Sequence, residues 1–116
     1  MSRNFLSRKE ELRKGDYLLS NNGQHKAIFQ DDGNFVIYTW KPVWASNTDG
    51  SDAYRLCMQN DCNLVMYNKC GDANWHTDTH FSDCNVCRLY LTDDGVLVVQ
   101  KEAETVWSSD PSKCKE

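Results

Sequence analysis

The chain has 116 residues, a formal net charge of −4 and a hydrophobic content of 40%. That length sets the expectation of one domain over residues 1–116, burying roughly two-thirds of its unfolded surface. Charges of both signs are spread along an acidic chain, which disfavours nucleic acid as a partner. No run of about 18 apolar residues exists to insert into a membrane as a helix.

The chain opens with "MSRNFLSRKEELRKGD", which lacks the apolar centre of a signal peptide. Within it, Ser7 is followed three residues later by Glu10, with good helix formers between. This capping-box spacing predicts a short helical turn, or a loop, over "SRKEELRKG".

Three similar segments follow. "AIFQDDGNFVIY", "RLCMQNDCNLVMY" and "RLYLTDDGVLVVQ" each read as a β-hairpin. Their second halves are rich in β-branched and aromatic residues, and "DDG" at 31–33 and 93–95 is turn chemistry. In the second segment Cys62 replaces that glycine. After each hairpin comes a Trp and a small polar turn: "VWASNT", "NWHTDT" and "VWSSDP". Trp44, Trp75 and Trp107 lie 31 and 32 residues apart. A unit of about 30 residues cannot bury its own apolar face. Three packed about a common axis can, with the three Trp as the filling.

Five residue types recur at the same offsets in the first two hairpins. They are Gln30, Asp32, Asn34, Val36 and Tyr38, then Gln59, Asp61, Asn63, Val65 and Tyr67. In an unbroken strand Gln30 and Tyr38 would lie about 26 Å apart. The turn folds Gln30 back beside the strand carrying Asn34, Val36 and Tyr38, which share one face. Phe35 and Ile37 then point into the core. The set offers amide donors and acceptors, a carboxylate, a small apolar contact and a phenol. It suits a molecule with vicinal hydroxyls and one C–H face, and it lacks the cation a phosphate would want. In the third hairpin the same offsets hold Thr92, Asp94, Val96, Val98 and Gln100. Turn and strand character persist there without the Gln, Asn and Tyr, so the hairpin does not require them. A polyol site and a bare repeated hairpin both remain open on these grounds.

Six Cys allow up to three disulfides in an oxidising compartment, and the missing signal pulls the other way. Cys70 and Cys84 flank the loop after the second Trp and are one candidate pair. A zinc set of His76, His80, Cys84 and Cys87, spaced by four, four and three, is the metal alternative. No second C-x2-C unit or short helix accompanies it. A thioredoxin-like role for Cys84 and Cys87 lacks its βαβ context. No metal and no cofactor is therefore expected. The acidic pairs Glu10–Glu11, Asp31–Asp32 and Asp93–Asp94 read as solvated or turn residues, and His25, His76 and His80 as surface. Catalysis is not expected.

Gln-x-Asp-x-Asn-x-Val-x-Tyr, repeated at about 30 residues with a following Trp, resembles the bulb-type mannose-binding lectins of monocot plants. "LRKGDYL" (Leu12 to Leu18) and "KPVWASNT" (Lys41 to Thr48) strengthen the likeness. The flavour is that of the lily-type lectins of fish skin. The resemblance implies an all-β, β-prism II fold: three four-stranded antiparallel sheets with pseudo-threefold symmetry. It implies that Gln30, Asp32, Asn34 and Tyr38 hydrogen-bond mannose hydroxyls while Val36 packs on the ring carbons. Gln59, Asp61, Asn63, Val65 and Tyr67 would repeat this without metal. The third set, with Asp94 and Val98 as its matching members, departs from the pattern, so two working sites are expected. The resemblance also implies a Cys62–Cys87 disulfide, leaving Cys57 and Cys114 to bond to each other or between chains. It implies a homodimer formed by exchanging "ETVWSSD", Glu104 to Asp110. The expected role is recognition of microbial or parasite glycans, outside the cell in mucus or a secretion, without a conventional signal; a cytoplasmic site stays open. The competing reading is a disulfide-stapled prism that binds proteins and whose sugar sites are vestigial.

Overall fold

The computed structural model describes residues 3–79, 86–102 and 104–110. Each repeat folds as three antiparallel strands. They are β4 (Lys26–Phe29), β5 (Phe35–Tyr38) and β6 (Pro42–Ala45) in the first. The second holds β7 (Ala53–Met58), β8 (Leu64–Asn68) and β9 (Ala73–His76), and the third β10 (Cys87–Leu91), β11 (Leu97–Lys101) and β12 (Glu104–Ser108). The N-terminal segment adds β1 (Phe5–Ser7), β2 (Glu11–Arg13) and β3 (Tyr17–Leu19). One strand goes to each repeat, giving three four-stranded sheets ordered β3-β4-β5-β6, β2-β7-β8-β9 and β1-β10-β11-β12. This is the architecture the resemblance implies.

The helical turn expected near the N-terminus is not formed. The capping-box residues close a β-turn instead. Glu10 accepts from the Ser7 N–H at 2.8 Å, and the Glu10 N–H donates to the Ser7 carbonyl at 3.0 Å. The cause is the spacing of Leu6, Leu12 and Leu18, each fully or almost fully buried. Residues six apart would scatter around a helix. Extended, with turns at Lys9 (φ 74°) and Gly15 (φ 93°), the segment delivers one leucine to each sheet. Burial outweighs local propensity here.

Alternation along the strands puts Phe35, Ile37, Leu64, Met66, Leu97 and Val99 inside. Trp44, Trp75 and Trp107 meet edge to face, with ring centroids 5.7–6.0 Å apart. Each such pair adds about 0.5–1.5 kcal/mol beyond its buried area. The three repeats therefore share one core with an aromatic centre.

Cys62 and Cys87 form a disulfide across 25 residues, as the resemblance implies. It ties the tip of the second hairpin to the start of β10. Cys62 has φ 73°, matching Gly33 (86°) and Gly95 (80°) at the equivalent turns. Because Cys87 is bonded, it is lost to any zinc set. His80, Cys84 and Cys114 lie outside the described residues, so the Cys70–Cys84 and Cys57–Cys114 pairings do too. Among the described residues Cys57 and Cys70 form no disulfide.

Candidate functional site

The turn of each motif hairpin closes with the same bonds. The Gly33 N–H donates to the Gln30 carbonyl at 3.0 Å, and the Cys62 N–H to the Gln59 carbonyl at 3.2 Å. One carboxylate oxygen of Asp32 accepts from the Asn34 N–H at 3.0 Å, and Asp61 does the same for Asn63 at 3.1 Å. These Asx turns fix each carboxylate beside its Asn and leave the other oxygen as an acceptor.

The turn also brings Gln30 to Tyr38, as its folding back requires. Gln30 Nε2 donates to the Tyr38 hydroxyl, and Gln59 Nε2 to the Tyr67 hydroxyl. A β-bulge lies between Ile37 and Tyr38, and another between Met66 and Tyr67. Bulges re-aim side chains, and here each precedes the motif Tyr. Val36 and Val65, each 3% exposed, lie on the strand between Asn and Tyr. All five residues of each motif thus gather on one patch.

Asn34 and Asn63 have a second task, absent from the sequence reading. Asn34 Oδ1 accepts from Ser46 Oγ at 3.1 Å and from the Thr48 N–H at 3.2 Å. Asn63 Oδ1 accepts from Thr77 Oγ1 at 3.3 Å and from the Thr79 N–H at 3.2 Å. The hydroxyls of Thr48 and Thr79 return to the Gly33 and Cys62 carbonyls at 2.6 and 2.7 Å. Ser or Thr at two and four residues past the Trp was the available signal. In the third repeat Ser109 keeps the first of these positions and bonds the Leu97 N–H at 2.9 Å. Val96 there has no side-chain acceptor to offer the turn.

These bonds set the polarity of the site. With its carbonyl engaged, each Asn presents only its amide N–H groups. Each Gln, having donated to Tyr, presents its carbonyl oxygen. Each Tyr, having accepted, keeps its own O–H to donate. Two acceptors and two donors result, over an apolar floor.

The walls come from strands that the motif does not include. Beside the second motif, Arg55 lies opposite Tyr67 and Cys57 opposite Val65, with Glu11 next across on β2. The first site has Lys26, Ile28 and Tyr17 at these places, and the third Arg88, Tyr90 and Phe5. Burial pushes the Cys57 thiol up from its ordinary pKa. The second motif opens into a cavity of about 550 Å³ lined by Lys9, Glu11, Arg55, Cys57, Gln59, Asp61 and Tyr67, among others. The third pocket, at Thr92, Asp94, Val96, Val98, Gln100 and Thr105, holds about 180 Å³. Phe5 and Tyr90, their rings tilted by 47° with centroids 6.5 Å apart, stand there where Glu11 and Cys57 stand in the second site.

Other expectations need adjusting. Glu10 and Glu11 are not merely solvated, because they pair with Arg3 and with Arg13 and Arg55. His25 is half-buried, bonding Thr39 and the Asp93 carbonyl, so it joins the first repeat to the third. No group of three or more His, Cys, Asp or Glu able to hold a metal occurs among the described residues.

No protein-family model matches the chain. The B-type lectin plumieribetin of Scorpaena plumieri is 64% identical over 110 residues, 95% of this chain and 97% of that one. The chain belongs to the bulb-type, or B-type, lectins. Solved structures agree. A monomeric monocot mannose-binding lectin from Gastrodia elata superposes with a TM-score of 0.81 at 33% identity, covering 91% of this chain and 96% of that one. The mannose-specific agglutinin of snowdrop (Galanthus nivalis), complexed with methyl-α-D-mannoside, gives 0.75 at 35% identity, covering 84% and 88%. The fold is the β-prism II of these lectins, which bind carbohydrate and do not transform it.

Proposed function

We propose that this lectin binds mannose-containing glycans, without metal, at two sites: Gln30, Asp32, Asn34, Val36 and Tyr38, and Gln59, Asp61, Asn63, Val65 and Tyr67. The observation that carries the reading is the polarity shared by both patches. An Asp acceptor sits beside an Asn donor, and a Gln acceptor beside a Tyr donor. A sugar hydroxyl both donates and accepts, so one hydroxyl can bridge each pair. The valine between the pairs suits the C–H face of a pyranose. Mannose in the snowdrop complex and in the naming of several relatives supports the choice of sugar.

The two motifs lie on different sheets, so one chain can hold two branches or two particles. Shallow sites of this kind gain useful strength through such multivalency. We extend the proposal to glycan-based defence outside the cell, and to a homodimer made by exchanging Glu104 to Asp110. In the single chain, β12 pairs with its own β11. An exchanged copy would reuse that register.

The test is calorimetric titration with methyl α-mannoside in EDTA, on the wild type and on Asp32→Asn and Asp61→Asn. Two sugars per chain, falling to one in either variant, is expected. No heat at millimolar sugar would remove the monosaccharide claim and favour a protein-binding scaffold. Loss of heat only when EDTA is added would refute metal independence.

A further inference from the structure

The two motifs are near copies, but their walls are not. Lys9 stands at the rim of the second site, where its N–H donates to the Met58 carbonyl at 2.7 Å. At the same place in the first site the Gly15 N–H donates to the Phe29 carbonyl at 2.7 Å, with open space where a side chain would go. Next along, Glu11 in the second site corresponds to Tyr17 in the first. The first site's cation, Lys26, lies over the Tyr17 ring at 4.1 Å.

In the second site the charges stay within reach of a ligand. Arg55 lies over the Tyr67 ring at 5.0 Å and reaches Glu11 at 3.6 Å. Glu11 is also held by Arg13. Lys9 is exposed, and among the described residues no hydrogen bond or ion pair engages its ammonium. The lining carries Lys9 and Arg55 against Glu11 and Asp61, and because Arg55 is paired with Glu11, Lys9 is the cation left open to a ligand, at the place where the first site has Gly15. Lys9 and Arg55 line the same cavity as Gln59, Asp61 and Tyr67. Its volume, about 550 Å³, exceeds what one hexose fills.

We propose that the second site, and not the first, prefers sugars bearing an anionic ester, with Lys9 and Arg55 receiving the charged group while Gln59, Asp61, Asn63 and Tyr67 hold the ring. This rests on the mannose reading above. A phosphate or a sulfate monoester has the required chemistry. Partly screened pairs of this kind are each worth up to about fivefold in affinity.

The experiment separates the sites. Asp32→Asn silences the first and Asp61→Asn the second, and each keeps the side-chain oxygen that holds its Asx turn. Both proteins are titrated with methyl α-mannoside, mannose 6-phosphate, α-mannose 1-phosphate and mannose 6-sulfate. The Asp32→Asn protein should bind at least one anionic sugar about five- to tenfold more tightly than the neutral one. The Asp61→Asn protein should show no such preference. In the Asp32→Asn background, Lys9→Gln should cut the ratio to about two, and about 0.5 M salt should erase it. Equal gains for sulfate and phosphate would assign recognition to charge, and a gain for phosphate alone to the doubly charged group. If the Asp32→Asn protein binds methyl α-mannoside but no anionic sugar more tightly, this inference falls and the mannose reading stands. If neither protein binds methyl α-mannoside, the mannose reading falls and takes the inference with it.

Discussion

The side-chain carbonyl of Asn34 accepts a hydrogen bond from the Thr48 backbone N–H at 3.2 Å, tying the motif to the turn beyond Trp44. One residue therefore serves both fold and site, through opposite ends of its amide. Asn34→Asp keeps an acceptor for the turn and removes the outward N–H groups. It should lose sugar binding at the first site with little loss of stability. Asn34→Ala removes both and should also destabilise by about 1–2 kcal/mol, because the Ser46 and Thr48 donors lose their partner. Paired titration and urea unfolding of the two variants check this. Equal stability of the two would show that the turn does not depend on Asn34.

The Gln30–Tyr38 and Gln59–Tyr67 bonds make a separate claim about polarity. If each Tyr uses its own proton on the sugar, Phe at 38 or 67 should weaken that site by about three- to tenfold, the loss of one neutral hydrogen bond. The ring stays, so the melting temperature should hardly move. Unchanged affinity in both Tyr38→Phe and Tyr67→Phe would mean that the phenols do not touch the ligand.

Local pattern and period made much of this fold legible. Strand alternation, the turn glycines and the Trp spacing are short-range signals, and all reappear in the sheets and their aromatic centre. The five motif residues were legible because a two-residue period and one tight turn suffice to bring them together. The N-terminus was not, because Leu6, Leu12 and Leu18 answer to three different sheets and local propensity favoured a helix. The walls were also hidden. Lys9, Glu11, Arg55 and Cys57 meet the second motif through pairing between β2, β7 and β8, which no spacing along the chain displays.

The Cys62–Cys87 bond closes a loop of 25 residues and joins the second site's turn to the third sheet. Chain entropy places its contribution at about 3.5 kcal/mol. The Cys62→Gly, Cys87→Ala double variant restores the turn residue of the other two hairpins. It should therefore lose about 2–4 kcal/mol, with part of the loss offset because glycine tolerates the positive φ. Denaturant unfolding with and without reductant measures this. Reductant should lower the wild type by more than it lowers the variant and so narrow the gap between them. Equal stability of wild type and variant without reductant would show that the bond adds nothing.

Glu10 gives the fold a dependence on acid. The Ser7 N–H, and then Arg3, hold its carboxyl below the ordinary 4.5, against the opposing effect of burial. A carboxyl whose folded pKa is depressed stabilises the fold above its unfolded value. That contribution is lost as the pH falls through the folded value. The window therefore opens near 4.5 and extends downward. Because the group is largely exposed, screening keeps the effect well under about 1 kcal/mol. Glu10→Gln retains an oxygen for the Ser7 N–H but has no charge to lose. Urea midpoints of wild type and Glu10→Gln, compared between about pH 6 and about pH 3, should differ most at the upper end and converge at the lower. A difference that grows towards acid would reverse the sign and refute the assignment of this turn to an ionised Glu10.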